Sequence, residues 1–131
     1  MRLLLTKRFV FEMAHALPGY DGPCAHLHGH SYHLEVTVEG PAPGNDGLSF
    51  DFHRLKEIVQ RVIIDRFDHA LVLPRGMNIA SENLLEVDFQ PTTENLLLHF
   101  ARLLQPHLPE GVSLHSLRLA ETDTSVAELL F

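Results

Sequence analysis

The chain has 131 residues, 45% of them hydrophobic and 21% charged, as expected for a single globular domain spanning 1–131. Its formal net charge of -7 argues against a nucleic-acid partner, and no apolar run approaches the roughly 20 residues that cross a bilayer, so no membrane partner is expected. The single cysteine excludes an intrachain disulfide and is typical of a reducing compartment, so we expect a cytoplasmic protein.

Alternating hydrophobicity predicts two long strands in the first part of the chain. The first spans Leu3 to His15, and the second starts at His28 and continues to Val38. A loop rich in proline and glycine, from Pro18 to Pro23, separates them. The inward face of the first strand carries Phe9, Phe11, Met13 and His15.

Two helices are predicted in the middle of the chain. Asp51 can cap a helix from Phe52 to about Phe67, and Thr92 can cap a second helix that ends at Pro106. The intervening stretch has weak patterning, with a short strand expected at Leu84 to Phe89.

The end of the chain predicts two more strands, Val112 to Glu121 and Ser125 to Phe131. The main order is then strand, strand, helix, helix, strand, strand. This order predicts an α+β fold, a four-stranded antiparallel sheet with two helices on one face.

A histidine pair gives the sharpest chemical signal. His28 and His30 are two apart on a predicted strand, so both imidazoles point to one face. His15 ends the neighbouring strand and is the natural third member. Three histidines with an open fourth position are typical of catalytic zinc sites. We therefore predict a Zn²⁺ site at these three residues, and we interpret the other histidines, apart from His69, as solvated or packing residues.

Cys24 precedes the pair in a loop rich in glycine and proline. A lone cysteine is most often a small core residue. Beside a zinc site, Cys24 could instead be a fourth ligand that closes the site, or a base or nucleophile next to an open one. A nearby cation favours the reactive thiolate form.

Two acidic features remain. Asp68 and His69 follow the first helix, and a carboxylate that orients a histidine is a common acid–base device, although neighbours in sequence rarely face each other well. Glu121 shares a strand face with Leu117 and Leu119, so its carboxylate is either exposed at the sheet edge or aimed into a pocket. Exposure is the simpler expectation. In a pocket, the carboxylate would accept two N–H groups from a guanine-like ring.

Taken together in their order along the chain, these motifs resemble those of the 6-pyruvoyl-tetrahydropterin synthase superfamily, and the resemblance covers nearly the whole chain. The spacing of Cys24 and His28, with three residues between them, is similar to that of the bacterial 6-carboxy-tetrahydropterin synthases of the queuosine and deazaguanine pathway. The animal 6-pyruvoyl enzymes carry a longer insertion there. The segments that carry the resemblance are Phe11–His15, Cys24–His30, Gly47–Phe52, Phe67–His69, Pro91–Asn95 and Glu121–Thr122.

The resemblance implies a reaction. It is the zinc-dependent conversion of 7,8-dihydroneopterin triphosphate to 6-carboxy-5,6,7,8-tetrahydropterin, with release of triphosphate and acetaldehyde. The alternatives are a 6-pyruvoyl-tetrahydropterin synthase, which stops at triphosphate elimination, and a non-catalytic homologue that binds zinc or pterin.

The resemblance also implies residue roles. Zinc on the three histidines would be the Lewis acid and Cys24 the base. His69, oriented by Asp68, would be its acid–base partner, and Glu121 would hold the pterin ring.

The implied architecture is the tunnelling fold, in which a homo-oligomer, usually a hexamer of two trimeric barrels, builds its active sites between subunits. The aspartate–histidine pair would then come from a neighbouring subunit. Lys7, Arg8 and Arg75 are candidates for triphosphate binding by charge alone.

Overall fold

Two long strands form the centre of the computed structural model, which describes residues 1–131. Strand β1 (Leu3–His15) pairs antiparallel with β2 (His28–Gly40) over its whole length. Alternate side chains of both strands are buried, because one face of the pair covers the core and the other is polar. The two predicted strands are therefore confirmed, and the second extends two residues further.

The complete sheet has six strands in the order β4-β3-β1-β2-β5-β6. Strand β5 (Ser113–Thr122) pairs antiparallel with β2, and β6 (Ser125–Leu130) pairs antiparallel with β5. Strands β3 (Ala70–Pro74) and β4 (Leu84–Val87) lie on the other side of β1 and run parallel to it and to each other. The α+β class is confirmed, but the expected four-stranded antiparallel sheet is wrong, since the sheet is six-stranded and mixed.

The first helical segment follows Asp51, whose carboxylate accepts a hydrogen bond from the backbone N–H of His53 at 2.8 Å. Helix α1 (Phe52–Val59) continues through a π-helical segment (Gln60–Ile64) into the short helix α2 (Asp65–Phe67). The predicted helix is confirmed at both ends, but its middle is wider than an α-helix.

The last helix, α3 (Thr93–Leu104), begins after Thr92, whose hydroxyl accepts a hydrogen bond from the N–H of Asn95 at 3.1 Å. Glu94 lies in its first turn, where the helix dipole favours an acidic side chain. Both sequence expectations are confirmed. No helix of the protein has the length and apolar composition needed to cross a lipid bilayer.

The helices cover one face of the sheet through a group of aromatic rings. Phe100 of α3 is fully buried and lies edge-on to Phe67, with ring centres 5.0 Å apart, and to Phe11 of β1 at 6.1 Å. Phe11 stacks on Tyr32 of β2 at 5.2 Å. This chain of contacts joins the helical layer to the two central strands.

Besides the outer side of β4, two sheet edges remain unpaired. Strand β1 meets β3 only at Met13–His15, so the backbone from Leu3 to Phe11 has a partner on one side alone. Strand β6 ends the sheet on the opposite side. Exposed apolar side chains accompany both edges: Leu3, Leu4 and Val10 on β1, and Val126, Leu130 and Phe131 at β6.

The position of Phe100 predicts a large stability effect. Phe100→Ala removes a ring that contacts both the sheet and α2, so we expect the free energy of unfolding to fall by about 3–5 kcal/mol in urea titrations. Leu98→Ala on the same helix is the control, because Leu98 is exposed and its loss should cost about 0.5 kcal/mol or less. Equal losses for the two variants would contradict this account of the core.

Candidate metal centre and active site

Three histidines meet where β1 ends and β2 begins. His15 and His28 are directly paired across the strands, and His30 follows on the same face. One ring nitrogen from each residue lies within 4.8 Å of the other two, and the Nε2 atoms of His15 and His28 are 3.0 Å apart. His15 is fully buried. The predicted grouping of these three residues is confirmed.

Backbone carbonyls orient the cluster. Nδ1 of His15 lies 2.8 Å from the carbonyl of Pro91, and Nδ1 of His28 lies 2.6 Å from the carbonyl of His26. Because a carbonyl only accepts, each Nδ1 carries the proton and each Nε2 keeps a free lone pair. Nε2 of His30 is buried without any hydrogen-bond partner. A cluster of Nε2 atoms that turn toward one another in this way suits a metal ion.

Burial also prepares the cluster for a cation. It lowers the pKa of His15 and of His30, because a charged imidazolium is poorly solvated there. The nearby Glu121 carboxylate opposes this shift in both residues. The two imidazoles are therefore neutral at pH 7, the form that coordinates metals.

The donor set fits a tetrahedral ion with one open position. Three imidazole nitrogens match the ligands of catalytic zinc sites, which bind at roughly 2.0–2.1 Å. The cluster of metal-ligating groups contains the three histidines and no cysteine. The geometry therefore does not support Cys24 as a fourth ligand.

Glu121 lies beside the histidines. Its carboxylate oxygen is 3.5 Å from Nε2 of His15 and 3.6 Å from Nε2 of His30. Glu121 is an extra residue in β5, where the pairing with β6 shifts between Ala120 and Thr122. A bulge of this kind changes the direction in which a side chain points. The Glu121 side chain is only 24% exposed. The simpler expectation, an exposed carboxylate at the sheet edge, is wrong.

A pocket adjoins the Glu121 carboxylate, between the start of α3 and the turn that joins β5 to β6. The sequence did not predict this pocket, because the residues at the start of α3 and in the turn that line it form no recognisable motif. Its lining residues besides Glu121 are Thr93, Glu94, Thr124, Ser125, Val126 and Ala127.

Tyr32 is a second residue that the sequence reasoning placed only in the core. Its hydroxyl lies 3.4 Å from both ring nitrogens of His15. Burial raises the pKa of Tyr32, and the charges of Glu121 and Cys24 raise it further, so the phenol stays protonated. The period of two from His28 through His30 would have indicated that Tyr32 faces the cluster.

Cys24 lies in a short 3-10 turn (Pro23–Ala25) and is half-buried. Its carbonyl accepts a hydrogen bond from the N–H of Leu17 at 2.9 Å, which ties this turn to the end of β1.

Asp68 and His69 form a contact pair, contrary to the expectation for sequence neighbours. The carboxylate of Asp68 lies 3.0 Å from Nδ1 of His69 and accepts the N–H of Glu12 at 2.9 Å. His69 has a left-handed backbone, with φ of 63°, and this turn lets the two side chains meet. The His69 side chain is 78% exposed.

No hydrogen bond or ion pair joins the Asp68–His69 pair to the three histidines within one chain. The surface depression beside His69 is lined by Glu12 and Ser31, whose side chains are exposed on the outward face of β1 and β2, and also by His30. The three histidines point to the opposite, core-covered face.

The three cations considered for triphosphate binding lie elsewhere. Arg8 pairs with Glu35 at 3.1 Å, and Arg75 pairs with Asp88 at 2.8 Å. Neither these arginines nor Lys7 line the pocket beside Glu121. Within one chain, the geometry gives no support to their assignment by charge.

Comparison with known proteins decides the family. The profile of the family described as 6-pyruvoyl tetrahydropterin synthase matches residues 4–130. The chain belongs to this family. The 6-carboxy-5,6,7,8-tetrahydropterin synthase of Haemophilus influenzae is 36% identical over 95% of this chain and 96% of its own length. The dihydroneopterin monophosphate aldolase of Pyrococcus furiosus is 33% identical over 98% of both chains.

Solved structures show the same tetrahydropterin synthase fold. An uncharacterized protein from Wolinella succinogenes superimposes with a TM-score of 0.85 at 21% identity, over 99% of this chain and 98% of the other. The 6-pyruvoyl tetrahydropterin synthase of Caenorhabditis elegans gives a TM-score of 0.77 at 19% identity, over 100% of this chain and 96% of that one.

The cluster predicts a metal-binding difference between two histidines of β2. His30→Ala removes a buried nitrogen, so we expect the purified protein to lose most of its bound metal in elemental analysis. His33→Ala on the outward face is the control and should retain the metal content of the unchanged chain. Circular dichroism of both variants would verify the fold. Full metal retention by His30→Ala would contradict the three-histidine centre.

Proposed function

We propose that this family member is a 6-carboxy-5,6,7,8-tetrahydropterin synthase of queuosine and 7-deazaguanine biosynthesis. It would convert 7,8-dihydroneopterin triphosphate to the carboxylated pterin, with release of triphosphate and acetaldehyde. The observation that carries the proposal is the three-nitrogen cluster with an open position beside the Glu121 carboxylate. The similarity to the Haemophilus influenzae enzyme supports it, as does the short Cys24–His28 spacing.

The pocket beside Glu121 is the site that we assign to the pterin ring. The Glu121 carboxylate accepts the ring N–H and amino groups, which a flat heterocycle presents as a pair. Because the same carboxylate lies within 3.6 Å of two cluster nitrogens, a ring held there has its side chain close to the histidines.

The histidine cluster, Cys24 and the Asp68–His69 pair would carry out the remaining steps of the reaction. A Zn²⁺ ion held by His15, His28 and His30 would supply a Lewis acid for the hydroxyl oxygens of the substrate side chain. Cys24, in the turn tied to the end of β1, is the base that takes a proton from the carbon next to such an oxygen. His69 returns a proton as its partner, and Asp68 orients the His69 ring through the 3.0 Å contact.

The absence of a hydrogen bond or ion pair between His69 and Cys24 within one chain supports an active site shared between subunits. We assign the aspartate–histidine pair of each site to a neighbouring copy of the chain. The unpaired edges of β1 and β6, with their exposed apolar side chains, support joining of copies edge to edge in a closed ring, and two trimeric rings would make a hexamer. The lone cysteine supports the cytoplasm as the compartment.

A second candidate is favoured by one relative. The Pyrococcus furiosus protein, named as an aldolase of dihydroneopterin monophosphate, is 33% identical over nearly the full length. An aldol-type cleavage also needs a base next to a polarised hydroxyl, so the same residues would serve. The 6-pyruvoyl-tetrahydropterin reaction remains the third outcome to distinguish.

Product analysis tests the proposal. Incubation of the zinc-loaded protein with 7,8-dihydroneopterin triphosphate should release triphosphate and acetaldehyde and yield a pterin with the mass of the 6-carboxy product. Turnover in Cys24→Ala should fall at least about 100-fold, the usual contribution of a positioned acid–base group.

The products separate the candidates. A pyruvoyl pterin without acetaldehyde identifies a 6-pyruvoyl-tetrahydropterin synthase. Turnover of the monophosphate alone identifies the aldolase. Unchanged turnover in Cys24→Ala would show that the thiol is not the base, whichever product forms.

The shared site predicts complementation between inactive variants. Cys24→Ala and His69→Ala should each be inactive, but their co-expression should restore activity at about a quarter of the sites, where random assembly unites an intact Cys24 with an intact His69 from the neighbour. Two differently tagged copies of Cys24→Ala are the control and should stay inactive. If mixing restores nothing while the assembly forms, both residues act within one chain.

A further inference from the structure

A second pocket with a distinct charge pattern lies away from the histidine cluster. It is formed by the end of α2, the region of β4 and the middle of α3, and its volume is about 440 Å³, in the range of small-molecule sites. We call it the arginine pocket. Neither the histidine cluster nor Cys24 or Glu121 contributes to it. Its lining comprises Arg66, Phe67, Arg75, Leu85, Glu86, Val87, Asp88, Phe89, His99 and Arg102.

Two of its three guanidinium groups have no counter-ion. Arg75 is held by Asp88 at 2.8 Å. No carboxylate lies within 4.0 Å of the guanidinium nitrogens of Arg66 or Arg102, which come from different helices and border the same cavity. The chain has a net charge of -7 and only ten lysines and arginines. Three arginines around one pocket are therefore a local concentration of positive charge in an acidic protein.

The wall of the pocket is aromatic. The His99 ring packs between Phe89, with ring centres 5.0 Å apart, and Phe67 at 5.9 Å. Burial lowers the pKa of His99, and the charges of Arg66 and Arg102 lower it further, so the ring is neutral at pH 7. A neutral aromatic wall beside free guanidinium groups offers a flat ring a stacking surface and an attached phosphate two planar donors.

We propose that the arginine pocket binds a nucleotide, with its phosphate on Arg66 and Arg102 and its base against His99 and Phe89. Guanidinium groups bind phosphate through paired, charge-assisted hydrogen bonds. The proposal concerns a ligand site separate from the proposed active site, and it does not depend on which reaction the histidine cluster performs.

The test uses a chain that carries both His30→Ala and Glu121→Ala, so that ligand binding at the metal centre and at the pocket beside Glu121 does not contribute. Calorimetric titration with guanosine and adenosine monophosphates should give saturable binding, and the His99 ring signals in NMR spectra should shift with the same dissociation constant. Guanosine without phosphate and inorganic phosphate without a ring should each bind at least about tenfold more weakly, since each keeps only half of the contacts.

Matched variants locate the site. Replacing both Arg66 and Arg102 by alanine should weaken nucleotide binding at least about tenfold. Arg61→Ala is the control, because Arg61 is an exposed arginine of the same helical region outside the pocket. Replacing the pair by lysine should give an intermediate affinity, because lysine keeps the charge but loses the planar donor geometry.

Three results would overturn the proposal. They are no nucleotide binding at millimolar concentration, equal affinities for the double alanine variant and Arg61→Ala, and binding of inorganic phosphate as tightly as the nucleotides. Product formation by the unchanged chain is measured separately, so failure of this site and failure of the proposed reaction are distinguishable.

Discussion

The register of the β1–β2 pair is the constraint on which the metal centre depends. Continuous antiparallel pairing from Leu3–Gly40 to His15–His28 places three imidazoles on one face and at one end of the sheet. A slip of one residue would turn one strand's histidines to the outward face. Phe11 and Tyr32, stacked directly behind the cluster, hold the same register through the core. The apolar packing and the candidate metal chemistry therefore share one structural determinant.

The elements with a clear hydrophobic period could be predicted from the sequence, and those set by tertiary contacts could not. The two long strands alternate over much of their length, and both helix starts carry a capping side chain, so their positions followed from local physics. Strand β3 (Ala70–Pro74) is a short apolar run with no alternation, directly after a helix. Its parallel pairing with β1 depends on how the helix returns to the sheet, and no local pattern encodes that path.

In the candidate site too, some positions could be predicted from a local sequence pattern and others could not. The period of two was sufficient to group His28 and His30. Glu121 and His69 reach their positions through backbone irregularities, a bulge in β5 and a left-handed turn before β3. Neither irregularity has a glycine or another sequence signal to mark it. The direction of both side chains therefore became clear only from the three-dimensional arrangement.

The open edges of β1 and β6 have a consequence for how the protein is made. A newly folded chain exposes unpaired backbone donors and acceptors beside Leu3, Leu4 and Leu130. Another chain in an extended conformation can pair with these groups as an added strand. In the assembly proposed above, a neighbouring copy covers these edges, and aggregation competes with that association for the same surface. Yield in the cell would then depend on the rate of synthesis, since crowding of unassembled chains favours disordered growth over a closed complex.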